Sequence, residues 1–170
     1  MKFIILFFSL GGLLLITYRM LSFRYRNRVS GPEQRKALDF FNERVLFSEK
    51  NLKCHNWNPG IKNYHYLFNL ADLYLTDKYL LVIPYIKSVL GTEKWTPILL
   101  YLDEQPENEI KSLHGIIRKQ VHRIENNPVD EIKIFFKEKN LISSTVELNF
   151  KCVSKNFVQE VIKRKNKSVS

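Results

Sequence analysis

Cysteine is scarce in this 170-residue chain, which carries two, Cys54 and Cys152, too few to form a disulfide framework. Glycine is scarce as well: the six are scattered and form no G-x-x-x-x-G-K, G-x-G-x-x-G or G-x-S-x-G, so phosphate cradles and the nucleophile elbow are excluded. The four histidines, His55, His65, His114 and His122, lack the recurrent short Cys and His spacing of a zinc site, so no metal and no cofactor is expected. Glu104, Glu107 and Glu109 crowd one polar loop and Asp130 and Glu131 begin a strand pattern, neither of which specifies two carboxylates across a cleft. No basic helix is interleaved with aromatics, which argues against a nucleic-acid partner.

Charge is absent from Phe3 to Tyr18, and acids are absent from the whole of "KFIILFFSLGGLLLITYRMLSFRYRNR". A helix from Phe3 to Phe23 would measure about 30 Å, the thickness of a bilayer core, if Arg19 reaches out to the headgroups. Lys2 is the only side-chain cation before the run, and no small-x-small cleavage site succeeds it, so a retained anchor is favoured over a removed signal. Tyr18, Arg19, Arg24, Arg26 and Arg28 are the expected membrane-interface residues, and their positive charge predicts a cytoplasmic location for the domain C-terminal to them. The expectation is therefore a single-pass membrane protein with residues 1–24 as a transmembrane signal anchor.

The first thirty residues hold five cations of the net +10, leaving 22 cations against 17 acids in the remainder. A mildly basic domain next to a cytoplasmic leaflet is drawn to anionic lipid. Residues 25–60 read as a juxtamembrane basic segment, an amphipathic helix and a loop. "SGPE" at Ser30 to Glu33 has capping-box spacing with Pro32 in the first turn, and Ala37, Leu38, Phe41 and Val45 fall on one helical face. "NLKCHNWNPGIKN" reads as loop, with Pro59-Gly60 as a turn.

Strand signals come next along the chain. "DLYLT" alternates, and Asp77-Lys78 makes a tight reversal into "YLLVIPYI". "KWTPILLYLDE" supplies another strand, with Pro97 suited to an edge or a strand beginning. Ile110, Leu113, Ile117, Val121 and Ile124 are three or four apart, a helical spacing, although Gly115 weakens it and a strand from about Ile116 to Ile124 remains open. "DEIKIFFKEKN" and "SSTVELNFKC" alternate as a hairpin, with Ile132, Ile134 and Phe136 on one face and Val146, Leu148 and Phe150 on another. "SKNFVQEVIKRK" gathers Phe157, Val158, Val161 and Ile162 on one helical face behind a Ser154 cap.

The run "ADLYLTDKYLLVIPY", the strands "DEIKIFFKE" and "STVELNFK", and the closing helix "SKNFVQEVIKR" resemble the PH-like superfold, particularly its GRAM and bacterial PH-like variants, over roughly residues 64 to 165. The resemblance implies an α+β fold. An antiparallel β-barrel or bent sheet over residues 61–165 would be closed at one end by a C-terminal helix, with residues 166–170 as a tail. It also implies a strand rather than a helix around Ile116 to Ile124, and a binding role toward lipid headgroups or protein segments. Lys78, Lys87 and Lys94 are then candidate lipid- or partner-binding residues, although Asp77 and Glu93 among them spoil the phosphate cage of a phosphoinositide-binding member. Trp57, Tyr64 and Tyr66, with Phe68, are candidate aromatic anchors for a partner peptide and equally candidates for the barrel wall.

The functional expectation is a membrane-tethered binding module that contacts the lipid bilayer, an anionic headgroup or a protein partner, with its oligomeric state left open. Two alternatives stand beside it. One is a small membrane-bound enzyme with a site around Cys54, His55 and His65, and the other is a secreted or periplasmic domain with a Cys54 to Cys152 bridge.

Overall fold

The computed structural model describes residues 2–57, 66–89, 91–103, 110, 114–127, 130–139 and 143–167, without the side chains of residues 2–10, 57, 139 and 143. Helix α1 (Lys2–Phe41) leads through a short 3-10 turn at Asn42–Arg44 into strand β1 (Phe47–Trp57). The later elements are β2 (Leu70–Leu75), β3 (Tyr79–Ser88), β4 (Gly91–Lys94), β5 (Ile98–Tyr101), β6 (Ile117–Asn127), β7 (Glu131–Lys139), β8 (Ser143–Lys151) and helix α2 (Lys155–Lys167).

Seven of the strands close into a barrel. The sheet order is β2-β1-β8-β7-β6-β5-β3, and β2 also pairs with β3, so the sheet meets itself; β4 hangs from β3 outside the ring. Closure removes the unpaired edges that an open sheet would present. All neighbours run antiparallel except β5 and β6, which are parallel in the register Ile98 with Ile117 to Tyr101 with Gln120. The strand alternative for the ambiguous segment is thus the observed one, and the helical spacing from Ile117 onward has no helix behind it. Pairing with a neighbour on each side satisfies the backbone groups of this segment, which outweighs a spacing that fits both periods.

The hairpin expectations are met in register. Tyr74 pairs with Leu81 and Leu75 with Leu80 around the Asp77-Lys78 reversal, and Ile134 pairs with Leu148 in the β7 and β8 hairpin. Ile132, Ile134, Phe136, Val146, Leu148 and Phe150 all point into the barrel and are fully buried. Pro97 stands just before β5, where its carbonyl accepts from the Ile117 amide at 2.9 Å; it begins a strand that lies inside the ring, not at an edge. Helix α2 plugs one end with Phe157, Val158 and Val161, and the Ser154 hydroxyl accepts from the Phe157 amide at 3.3 Å as its cap.

Two expectations about the first third of the domain are corrected. "NLKCHNW" is not loop but most of β1, with Leu52 and Cys54 facing the core while Lys53 and His55 face out. Its polar composition hid a period of two. Asn51 takes a left-handed φ of 58° at the irregularity between Glu49 and Leu52, and its amide donates to Asp72 Oδ1 at 2.8 Å. Similarly, no helix starts at Ser30, because α1 runs unbroken through Pro32. Proline removes one backbone donor and crowds the preceding turn. Contacts on both sides, from Asn27 and Gln34, hold the helix to the barrel across that defect.

The larger correction concerns the anchor. Among the described residues no helix is long and apolar enough to cross a membrane, so the transmembrane helix and the single-pass, membrane-anchored placement are not supported. The side chains of residues 2–10, which open the expected span, lie outside the described ones. From Gly11 on, the uncharged stretch ends at Arg19, and Arg24, Arg26 and Arg28 come after it within the same helix. Farther along, the helix packs on protein: Ala37 and Phe41 are fully buried.

That packing forms a second core on the outside of the barrel. Tyr79, Leu81, Ile83, Leu99 and Tyr101, the outward residues of β3 and β5, meet Ala37, Phe41 and Ile110. The inward residues Leu80, Val82, Ile98 and Leu100 belong to the interior core. Strands covered on both faces read as continuous apolar runs, which is why "YLLVIPY" shows no alternation.

Candidate functional site

The barrel interior is filled by side chains, and the candidate enzymatic groups lie on opposite sides of its wall. Cys54 is buried within it, donating from Sγ to Asn56 Oδ1 at 2.9 Å, and burial pushes its thiol well up from the ordinary value. A thiol so held is a poor nucleophile. His55, next along the strand, is exposed on the outer face, and His65 lies outside the described residues. The two cysteines are unbridged, with Cys54 buried and Cys152 exposed. Among the described residues no cluster of three or more His, Cys, Asp or Glu side chains is placed to hold a metal ion.

The aromatic candidates separate. Trp57 lies on β1 with its side chain outside the described ones, and Tyr64 lies outside the described residues altogether. Tyr66 and Phe68 are buried in the interior core. The Tyr66 hydroxyl donates to Glu138 Oε2 at 2.8 Å, and Lys119 Nζ meets Glu138 Oε1 at 2.7 Å. Burial first, and Glu138 second, push the Tyr66 phenol upward. This is a barrel wall closed by a polar clasp.

The three lysines also fail to converge. Lys78 sits at the reversal before β3 and Lys87 near that strand's far end, roughly 30 Å away at ~3.3 Å per residue. Lys87 Nζ donates to Asn51 Oδ1 at 2.8 Å. Lys94, on β4, lies beside α1, its amide donating to Asn27 Oδ1 at 2.7 Å. Lys78 instead lines a cleft of about 470 Å³ with Asp77, Asp103 and Arg164 at the α2 end, where acids and cations alternate. A second cleft, about 840 Å³, runs past Glu49, Glu131, Lys151 and Lys155 and is equally mixed in sign.

What the structure assembles instead is a clamp between α1 and the β3–β4 hairpin. The Asn27 side-chain amide donates to the Thr92 carbonyl at 3.0 Å while accepting from Lys94, standing in for a neighbouring strand at the exposed edge of β4. Gln34, almost fully buried, donates to the Pro84 and Trp95 carbonyls at 2.9 and 2.8 Å. Arg26 pairs with Glu93 at 3.0 Å and stacks 4.2 Å above the Trp95 ring. These side chains lie seven or eight residues apart or adjacent along one helix, so they face the same hairpin.

The clamp fixes the helix axis along β3. Phe41 meets Tyr79 with ring centroids 6.0 Å apart, Gln34 is level with Pro84, and Phe23 lies over Gly91 beyond the strand's end. Residues before Phe23 therefore continue past the hairpin tip, at the barrel end opposite α2. Leu13, Leu14, Leu15 and Ile16 are each more than half exposed there, as are Tyr18, Leu21 and Tyr25, and Val89 is fully exposed at the tip. Of the expected interface residues, Tyr18 and Arg19 are on this length and Arg24 and Arg28 are exposed just after Phe23, whereas Arg26 is drawn into the clamp. No periodicity in the sequence marks Asn27 and Gln34 as clamp residues; their partners are the β4 edge and the Pro84 and Trp95 carbonyls.

No protein-family model matches the chain, and neither a curated protein nor a solved structure does so.

Proposed function

We propose that this chain is a binding module on a PH-like barrel, which docks a macromolecular surface at the end opposite α2. The observation that carries the reading is the unpartnered length of α1 projecting beside Val89 from a barrel whose interior is already full. A closed barrel with a helix over one end supports the PH-like assignment; the parallel β5 and β6 pair departs from an all-antiparallel version. Burial of Cys54 and outward exposure of His55 favour binding over turnover.

Site-specific photo-crosslinking in cells tests it. A photoreactive side chain at Val89 is expected to form adducts with lipid or protein, while the same group at Lys163, exposed on α2, forms none. Equal labelling at both positions, or none at Val89, overturns the reading.

A further inference from the structure

From Leu13 to Ile16 the exposed length of α1 is apolar around its whole circumference. Successive helical residues are turned by about 100°, so Leu13, Leu14, Leu15 and Ile16 together face every direction, and all four are more than half exposed. A partner protein or a second copy packed on one side would cover a stripe and leave the remainder in water. A helix hydrophobic all round belongs inside an apolar medium. Immediately after it stand Arg19, Arg24 and Arg28, all exposed, with no acid anywhere in the first thirty residues. Tyr18 and Tyr25 flank them, the amphipathic rings that settle at a boundary between apolar and aqueous phases.

We infer that the segment from Gly11 to Tyr25 seats in an anionic lipid surface, with Leu13 to Ile16 among the acyl chains, Arg19 and Arg24 at the phosphates and Arg28 just behind them. This rests on the binding-module reading and names its partner. From Phe3 to Tyr18 the uncharged part of the helix measures about 24 Å, short of a ~30 Å core. The contact described is thus docking into a surface. The clamp gives it a second consequence: because Asn27, Gln34 and Arg26 lock the helix to the β3–β4 hairpin, a seated α1 brings exposed Val89 toward the same surface and fixes the barrel's orientation over it.

The test uses the full chain with vesicles of phosphatidylcholine alone or with about a third phosphatidylserine. An environment-sensitive fluorophore is placed at Ile16→Cys, Val89→Cys or Lys163→Cys in a Cys152→Ser background, in which the remaining thiol, Cys54, is buried. Flotation with the anionic vesicles is expected, and it weakens at least tenfold when Arg19, Arg24 and Arg28 are changed to Glu, consistent with the affinity each cation adds at an anionic surface. The probe at position 16 is expected to shift blue and be quenched by nitroxide-labelled acyl chains, the probe at 89 to be quenched by headgroup-labelled lipid, and the probe at 163 by neither. These arginines lie outside the clamp and the cores, so an unchanged melting temperature shows that the variant is folded. Binding indifferent to the reversal overturns the inference, as does a probe at 16 that stays in water. A probe at 16 shielded without lipid in a stable dimer also overturns it, in favour of a second copy. Val89 adducts to protein alone would sink the lipid inference and leave the binding-module reading standing.

Discussion

Cys54 and Cys152 stand in opposite environments, one buried and the other exposed. Exposed Cys152 is expected to react with a maleimide in the native protein near neutral pH, while Cys54, buried and with its thiol pushed up, is labelled only after denaturation. Mass spectrometry before and after urea should count one modification and then two. At Gln34 a single amide donates to two carbonyls, so Gln34→Leu strips a donor from each, although the Pro84 carbonyl keeps the Trp95 amide at 3.0 Å, and is expected to cost about 2 kcal/mol in denaturant titration. Glu33 titrates in the opposite sense to a paired carboxylate. Burial raises its pKa, only partly countered by Lys36, and Oε2 has no hydrogen-bond partner among the described atoms. A raised folded-state pKa makes its contribution fully present below the ordinary carboxylate value and lost as pH rises through the raised one. Unfolding free energy of the wild type should therefore fall more steeply than that of Glu33→Gln as pH rises above the ordinary carboxylate value. A parallel pair of slopes would show that Glu33 is solvated.

Among the elements, α1 divides at Phe23. Before it, Leu13 to Ile16, Tyr18 and Leu21 are exposed, whereas Asn27 to Phe41 close the β4 edge and cover the outer faces of β3 and β5. Deleting residues 1–22 is expected to leave the unfolding midpoint of the remainder nearly unchanged, and deleting 1–41 to expose the second core and lower it sharply. Circular dichroism melts of the two truncations separate these outcomes. This division was not legible beforehand: the capping-box spacing at Ser30 pointed to a helix start, and the apolar run before Arg19 to a separate anchor. Local spacing is blind to Asn27 and Gln34, whose strand partners lie fifty or more residues downstream. The strands were easier. β7 and β8 alternate cleanly because one face is interior and the other is wet, so Ile132 to Phe136 and Val146 to Phe150 announce themselves. β1 was hidden because its outward positions, Lys53, His55 and the preceding Asn51, read as loop chemistry.

The whole molecule is two apolar cores sharing the wall formed by β3 and β5, and its stability should be concentrated there. Phe136→Ala, in the interior, is expected to cost roughly 3–5 kcal/mol, the range for removing a buried aromatic ring, and urea unfolding with an unchanged slope would confirm a cooperative unit. A loss below about 1 kcal/mol would mean the barrel can collapse around the void. The sequence by itself determined the barrel's strand hairpins, the capped helix α2 and the basic, acid-free character of the opening segment, since each depends on patterns among near neighbours. Only the tertiary structure decided that β1 is a strand, that the segment after Gly115 pairs parallel with β5, and that Lys78, Lys87 and Lys94 point to different places. It also decided that α1 belongs to the barrel. Those outcomes depend on which distant backbone groups and outer strand faces are left to be satisfied, and no local periodicity encodes that.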